Sequence, residues 1–197
     1  MTKSIARAKQ ILAAEAEALL NIPLNGSFEK AVSLLRACKG KVITTGMGKA
    51  GHIAQKFAST LCSTGTPACY LHPGESEHGD LGVIAPGDIV VAYSTSGKTR
   101  EILEMLRLAG RLGTRAIIGI TSHPDSEIRA LSTVVIDMGE IREPCSLGLT
   151  PTASSLVMLA ISDALALVLM EAKGFTRKEY GLRHHGGYLG RISNGRK

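Results

Sequence analysis

The residues best suited to chemistry lie in one short stretch, Tyr93-Ser94-Thr95-Ser96-Gly97-Lys98-Thr99-Arg100-Glu101. Four hydroxyl side chains and a glycine fill it. The apolar, β-branched run Asp88-Ile89-Val90-Val91-Ala92 precedes it and reads as a buried strand. Apolar residues at helical spacing follow it, from Glu101 to Gly110. The stretch is therefore a turn from a strand's carboxyl end to a helix's amino end. Unpaired backbone N–H groups and the positive end of the helix dipole meet there, a setting suited to a phosphate. Ser94, Ser96 and Thr99 can each donate a further hydrogen bond. Helix capping by the same hydroxyls, with no ligand, is a second reading. A nucleotide P-loop is a third, since Gly97-Lys98-Thr99 matches its last three residues. The glycine it needs five positions earlier is Ala92, inside the strand, which argues against it.

Three other groups carry potential chemistry. Gly46, Gly48 and Gly51 spell a dinucleotide fingerprint between a strand and a helix. The acidic residue that should end the second strand is replaced by His72-Pro73, and Lys49 inside the turn suits a monophosphate or a sugar oxyanion. His72, Glu75, Glu77, His78 and Asp80 form a dense cluster able to hold a divalent metal, but without helical spacing to aim it; His72 and His78 are its candidates for an incidental site. His184 and His185, in a polar loop, can act as acid or base near neutral pH or stand as solvated tail residues. Glu101 and Glu143 each admit a structural reading, as a partner of a helix dipole, and a catalytic one.

The elements that must position these groups alternate. Residues 4–21 and 27–38 read as amphipathic helices, with Ser27 as a cap. Strands are expected at Lys41–Thr45, Ala68–His72, Asp88–Ser94, Arg115–Thr121 and Val134–Asp137. Helices are expected through Cys62, over Thr99–Leu112, around Asp125–Leu131 and over Pro151–Lys173, with Pro73–Asp80 a polar loop. Thr176 and Glu179 have the spacing of a capping box for a last short helix. Alternation of this kind implies a parallel sheet covered on both faces, with ligands beyond the strands' carboxyl ends. Lys49, the His72–Asp80 loop and the Ser/Thr turn all fall at those ends.

The 197 residues are enough for one sizeable core and argue for a single domain. With 44% hydrophobic residues and no Trp, that core must be built from Ala, Leu, Ile and Val. A net charge of +6 favours an anionic ligand. Nucleic acid is disfavoured, because the basic residues are scattered without an aromatic platform; the loose cluster is the tail, Arg183, Arg191, Arg196 and Lys197. The four cysteines match neither a metal site nor a disulfide scaffold, and Cys62 and Cys69 read as buried thiols. Leu156–Met170 is too short and, with Ser162 and Asp163, too polar to span a bilayer. The amino terminus shows no signal-peptide pattern. A cytosolic protein is expected.

Taken together and in order, the segments resemble the sugar isomerase (SIS) domain family, and within it the arabinose-5-phosphate isomerases. They are Gly46-Met47-Gly48-Lys49-Ala50-Gly51-His52, Gly65-Thr66-Pro67, His72-Pro73-Gly74-Glu75 and His78-Gly79-Asp80-Leu81-Gly82. Further on come Ser94-Thr95-Ser96-Gly97, the run from Glu143 to Thr152, Gly174-Phe175 and the run from His184 to Gly190. The resemblance implies a flavodoxin-like α/β/α sandwich with a five-stranded parallel sheet. It implies one SIS domain over 1–197, made of amino-terminal helices 4–38, a core 41–173 and an active-site segment 174–197. It implies interconversion of D-ribulose 5-phosphate and D-arabinose 5-phosphate, feeding 3-deoxy-D-manno-octulosonate synthesis for lipopolysaccharide or capsule. Lys49, Glu101, Glu143 and His184 are then the catalytic positions, and His78 lines the site. Gly48, Ser94, Thr95, Ser96 and Thr99 hold the substrate. It also implies tetramers with active sites shared between subunits.

Those residue types fit the reaction. An aldose–ketose isomerase moves a proton between C1 and C2 through an enediol, needing a carboxylate base and a donor for the developing oxyanion, with no metal or organic cofactor. Either Glu101 or Glu143 can be that base. Two departures stand out. The family's Ser-Gly-Glu-Ser is Ser96-Gly97-Lys98-Thr99 here, exchanging an acid for a base beside the phosphate, and its Ser-His-Pro-Gly-Gly is Arg183-His184-His185-Gly186-Gly187. The paired regulatory CBS domains that often follow are not in the sequence, so no regulation by adenine nucleotides through them is expected. An isomerase of another phosphosugar and a phosphosugar-binding sensor without turnover are the competing readings.

Overall fold

Three strands are buried from end to end, and that decides the architecture. β1 (Val42–Gly46), β3 (Ile89–Tyr93) and β4 (Ala116–Thr121) have no exposed residue, so both faces of the sheet must be covered. In the computed structural model, which describes residues 2–193, β2 (Ala68–Tyr70) and β5 (Val134–Asp137) complete a parallel sheet of order β2-β1-β3-β4-β5. Val42 pairs with Ile89 and Ile89 with Ala116, which aligns the carboxyl ends of the three central strands. The chain runs from β1 outward to β2 and then back across to β3. The switch point of strand order therefore lies between β1 and β3.

Side chains alternate between two cores, as the strand period requires. Val42, Ile89, Val91, Tyr93, Ile118 and Ile120 face one layer, formed by α1 (Lys3–Leu20), α2 (Gly26–Arg36), α3 (Gly48–Ser63) and α6 (Ala153–Ala172). Ile43, Val90, Ala92 and Ile117 face the other, formed by α4 (Arg100–Arg111) and α5 (Glu127–Leu131). The α/β/α sandwich expected from the alternating pattern is thus present. α7 (Arg177–Arg183) and α8 (Gly187–Ser193) end the described chain. Arg196 and Lys197 of the basic tail, and the last four residues of the segment 174–197, lie outside it.

Several local expectations need correction. Asn25, rather than Ser27, caps α2, its side chain accepting the Ser27 N–H at 2.9 Å. The stretch expected as a loop from Pro73 to Asp80 contains a 3-10 turn at Glu75–His78, and a second begins at Asp80. The second strand stops at Tyr70, before His72. His184 and His185 do not sit in an open loop: His184 closes α7, and α8 follows at once. Cys62 is exposed near the end of α3, and Cys69 is half-buried in the edge strand β2. The apolar run taken to be too short for a bilayer belongs to α6, whose 20 residues are long and apolar enough by length and composition to cross one. Half of that helix is packed inside the fold, with Val157, Ile161 and Leu165 in the core and Ser162 accepting the buried Tyr93 hydroxyl at 2.7 Å.

Candidate active site

The turn after β1 is built for close approach. A Cβ at Gly46 would lie 2.8 Å from the Ala50 carbonyl, and one at Gly51 would lie 2.6 Å from the Gly46 oxygen. Those two glycines let α3 start hard against the strand, and the Tyr70 hydroxyl donates to the Gly46 carbonyl at 2.9 Å. Gly48 takes φ +55°, where a side chain would be strained. Close helix–strand packing thus accounts for the three-glycine pattern without a dinucleotide. Lys49, exposed in the first turn of α3, comes out beside the carboxyl end of β3.

There the Ser/Thr turn curls into a cradle. The Ser94 hydroxyl accepts the Gly97 N–H at 3.0 Å and shares a hydrogen bond with the Thr99 hydroxyl at 2.9 Å. The Ser96 hydroxyl accepts the Lys98 N–H at 3.3 Å. Gly97 has φ +62°, and a Cβ there would run into Ser126 at 2.4 Å. Thr99 precedes α4 but makes no side-chain cap bond. Capping is therefore not what this hydroxyl does, and the amides of the first turn of α4 keep their N–H groups without intrahelical acceptors.

Lys49, Ser94, Thr95, Ser96 and Thr99 line one cavity of about 300 Å³ at the switch point, together with Met47, Tyr93 and the amino end of α6. Pro151, Ser154, Ser155 and Met158 supply that last wall, which sequence reasoning missed. The signal for it was the serine pair that follows Thr150-Pro151-Thr152, read only as the start of a core helix.

Glu143 is tied to this wall. Its carboxylate accepts the N–H groups of Thr152 at 2.8 Å, Ala153 at 2.9 Å and Ser154 at 3.2 Å, and the Ser154 hydroxyl as well. Thr152 makes no side-chain cap bond of its own, so Glu143 caps α6 from a distance. Burial opposes its charge, but the hydrogen bonds from Ser154, Thr152 and Ala153 outweigh that and hold the carboxyl below its ordinary range. Next to it, the amides of Thr150 and Leu149 point at the Cys145 sulfur and draw that thiol down to about 7.

The remaining candidates stand apart. Glu101 is half-buried in the first turn of α4, two residues past Thr99, and does not line the cavity. His78 is exposed in its 3-10 turn, and His72 Nδ1 accepts the Gly74 N–H at 3.2 Å. Among the described residues, no three His, Cys, Asp or Glu side chains gather into a metal shell. His184 lies toward the opposite ends of two helices that border the cavity. Its ring stacks on Tyr180 at 3.9 Å, and Tyr180 lines a cleft with Thr60, Thr64 and Met170, at the carboxyl ends of α3 and α6. Lys49 and Ser154 are at the amino ends of the same helices. At 1.5 Å per residue, roughly 20 Å separates the two ends of α3.

Known proteins share this arrangement. The family model of the SIS domain matches residues 34–168. The arabinose 5-phosphate isomerase KdsD of Pseudomonas aeruginosa is 46% identical over 168 residues, 85% of this chain and 51% of that protein. The enzyme of the same name from Escherichia coli K12 is 43% identical over 93% of this chain and 56% of its own length. The chain therefore spans about half the length of these curated relatives. Among solved structures, a Bacteroides fragilis protein assigned as a phosphosugar isomerase involved in capsule formation is 46% identical with TM-score 0.90, covering 94% of this chain and 99% of that one. An Escherichia coli CFT073 protein solved in complex with arabinose 5-phosphate is 38% identical with TM-score 0.87, covering 93% and 100%. A family model matched over well more than half of the sequence, and relatives covered almost whole, give the conclusion: the chain belongs to the SIS domain family.

Proposed function

We propose that this protein interconverts D-arabinose 5-phosphate and D-ribulose 5-phosphate in the cavity between β1, β3 and α6. The observation that carries the reading is the meeting of Lys49 with the Ser94–Thr99 cradle in one cavity at the switch point. The names of the Pseudomonas aeruginosa and Escherichia coli relatives, and the arabinose 5-phosphate bound to the CFT073 protein, support the choice of substrate.

The chemistry follows from the residues. The cradle holds the terminal phosphate through the hydroxyls of Ser94, Ser96 and Thr99 and the amides of the first turn of α4. Thr95 shapes a wall, and Gly48, whose positive φ sets the turn before Lys49, acts through that turn; His78, outside the cavity of its own chain, serves only where a neighbouring copy closes the site. The sugar opens, and a carboxylate takes the proton from C2 of the aldose as the C1 carbonyl oxygen gains one, giving the enediol; the 2-hydroxyl then gives up its proton as the carboxyl returns one to C1, and the Lys49 ammonium stabilises the enediolate oxygen. Glu101 suits the base role better than Glu143. The Glu143 carboxylate already accepts four hydrogen bonds and is held acidic, whereas that of Glu101 accepts none among the described residues. Glu143 then acts through Ser154 and the start of α6. C2 is oxidised as C1 of the same molecule is reduced, so the overall step requires no external oxidant or reductant.

His184, remote from the cavity of its own chain, opens or orients the sugar in the cavity of a neighbouring copy. We infer an assembly of more than one copy on this ground, and propose that it is a cytosolic homotetramer in which residues 1–197 act as one SIS unit. We place it upstream of 3-deoxy-D-manno-octulosonate for capsule or lipopolysaccharide, with no nucleic-acid or membrane partner. The test is incubation of the purified protein with D-arabinose 5-phosphate alongside hexose and heptose phosphates. Ketopentose formed from the pentose alone supports the reading. Turnover of another phosphosugar instead, or a thermal shift without product, replaces it.

A further inference from the structure

The cradle owes its shape to a loop that does not line the cavity. Four donors converge on the carbonyl oxygen of Thr95: the Thr121 hydroxyl at 3.1 Å, the Ser122 N–H at 3.2 Å, the Ser122 hydroxyl at 3.3 Å and His123 Nδ1 at 3.0 Å. Thr121 ends β4, and Ser122 and His123 follow it directly. A carbonyl can only accept, so His123 carries its proton on Nδ1. The loop is itself tied down. The His123 carbonyl accepts Arg129 Nε at 2.6 Å and the Ser126 hydroxyl at 2.9 Å, and Arg129 pairs with Asp137 at the end of β5.

The direction of this grip matters. The described backbone holds no cis peptide, and in a trans peptide the carbonyl and the next N–H point opposite ways. β3 lies between β1 and β4. A Thr95 carbonyl drawn toward the β4 loop therefore turns the Ser96 N–H toward β1, the side from which Lys49 enters the cavity. Donors on the carbonyl also polarise the peptide and strengthen its N–H as a donor.

We propose that Thr121, Ser122 and His123 are positioning residues for anion binding, which fix and polarise the Thr95–Ser96 peptide so that the Ser96 amide binds the substrate phosphate. This deepens the functional reading and rests on it only in taking a phosphate as the anion. Thr121 is fully buried, and Thr121→Val keeps its shape while removing the hydroxyl. His123 is exposed, so His123→Leu removes a donor with little effect on packing.

The test compares the wild type, the double variant Thr121→Val/His123→Leu, and the conservative variants Thr121→Ser and His123→Asn, which keep a donor. Inorganic phosphate is titrated by calorimetry, and melting is followed with and without it. Loss of two bonds to the carbonyl should weaken phosphate binding by about tenfold and raise KM for arabinose 5-phosphate by a similar factor. Expected with this are a kcat within about twofold of wild type, unchanged phosphate binding in the conservative variants and, without phosphate, a melting temperature lowered by no more than a few degrees. A double variant that folds and binds phosphate as the wild type does overturns the inference, as does a conservative variant that loses binding equally. If the double variant does not fold, His123→Leu alone decides, with about threefold weaker phosphate binding expected and unchanged binding overturning the inference. Phosphate binding needs no turnover, so the two readings fail separately. A wild type that binds phosphate without converting the sugar removes only the isomerase reading, whereas one that binds no phosphate removes both.

Discussion

The carboxyl edge of the sheet and the terminal segment from Phe175 to Ser193 are built on opposite plans. At the sheet edge, local bonds within the Ser/Thr turn are braced by others from further along the chain. Thr95 is held from the β4 loop, Gly46 by Tyr70, and the start of α6 by Glu143. The terminal segment is held mostly by near neighbours. Thr176 and Glu179 close a reciprocal capping box, His184 stacks on Tyr180, and Arg183 lies 5.0 Å over the Phe175 ring. Its outward side carries Leu182, Tyr188, Leu189 and Ile192, all exposed. One region encloses a pocket. The other is a self-contained arm with an uncovered apolar surface, placed at the wrong end of its own subunit to serve that pocket.

If this division is right, variants at the sheet edge should fail alone, and variants in the arm should be rescued by a second copy. The largest effects belong to Lys49, in the pocket, and to Glu101, two residues past Thr99 of its wall. Lys49→Met and Glu101→Gln should each lower kcat by about 10³-fold, with little change in melting temperature because neither side chain is buried in the core. His184→Asn should cost about 10²-fold in kcat. Co-assembly of the Lys49→Met and His184→Asn chains should then restore part of the activity, because some sites draw an intact cradle from one chain and an intact histidine from another. Recovery no greater than the sum of the separate variants would place His184 in its own subunit's site or in none.

Glu143→Gln separates the two glutamates. It removes a carboxylate cap and should destabilise the fold by about 1 kcal/mol, with a smaller loss of kcat than Glu101→Gln shows. The pH dependence has a definite sign. The folded Glu143 carboxyl is held below its ordinary value, so its contribution is present above the unfolded value of about 4.3 and is lost as pH falls through the lower folded one. Urea unfolding of the wild type and Glu143→Gln across that range should show the difference between them shrinking in acid. The smallest effect is Thr176→Ala, which opens the capping box of α7 at a cost of about 1 kcal/mol to that helix alone. Hydrogen exchange should rise in 176–184 and stay unchanged in β3.

What the sequence disclosed follows from the range of the forces involved. Hydrophobic runs and alternation suffice to place β3 and β4 within a residue or two, because a strand buried on both faces has little choice of side chain. The Ser/Thr cradle was legible because a strand, a Ser/Thr turn and a helix are contiguous. The α6 wall and the Thr95 grip were not, since Ser154 and Thr121 reach the site only once the sheet order is known. The rule that ligands gather at the strands' carboxyl ends, applied to β4, does point to Thr121-Ser122-His123. His184 illustrates the opposite case. Its likeness to a family motif names a role, while the contacts that would place it in a pocket are not made within its own chain.

Solvent exchange at the substrate carbon tests the isomerase reading most directly. D-Arabinose 5-phosphate is incubated with the wild-type protein in deuterated water, and the sugar pool is followed by NMR. Expected are ribulose 5-phosphate and deuterium at C2 of the recovered arabinose 5-phosphate, both lost in Glu101→Gln. A wild-type protein that forms no ketopentose and leaves C2 fully protonated would contradict an enediol formed between Lys49 and Glu101.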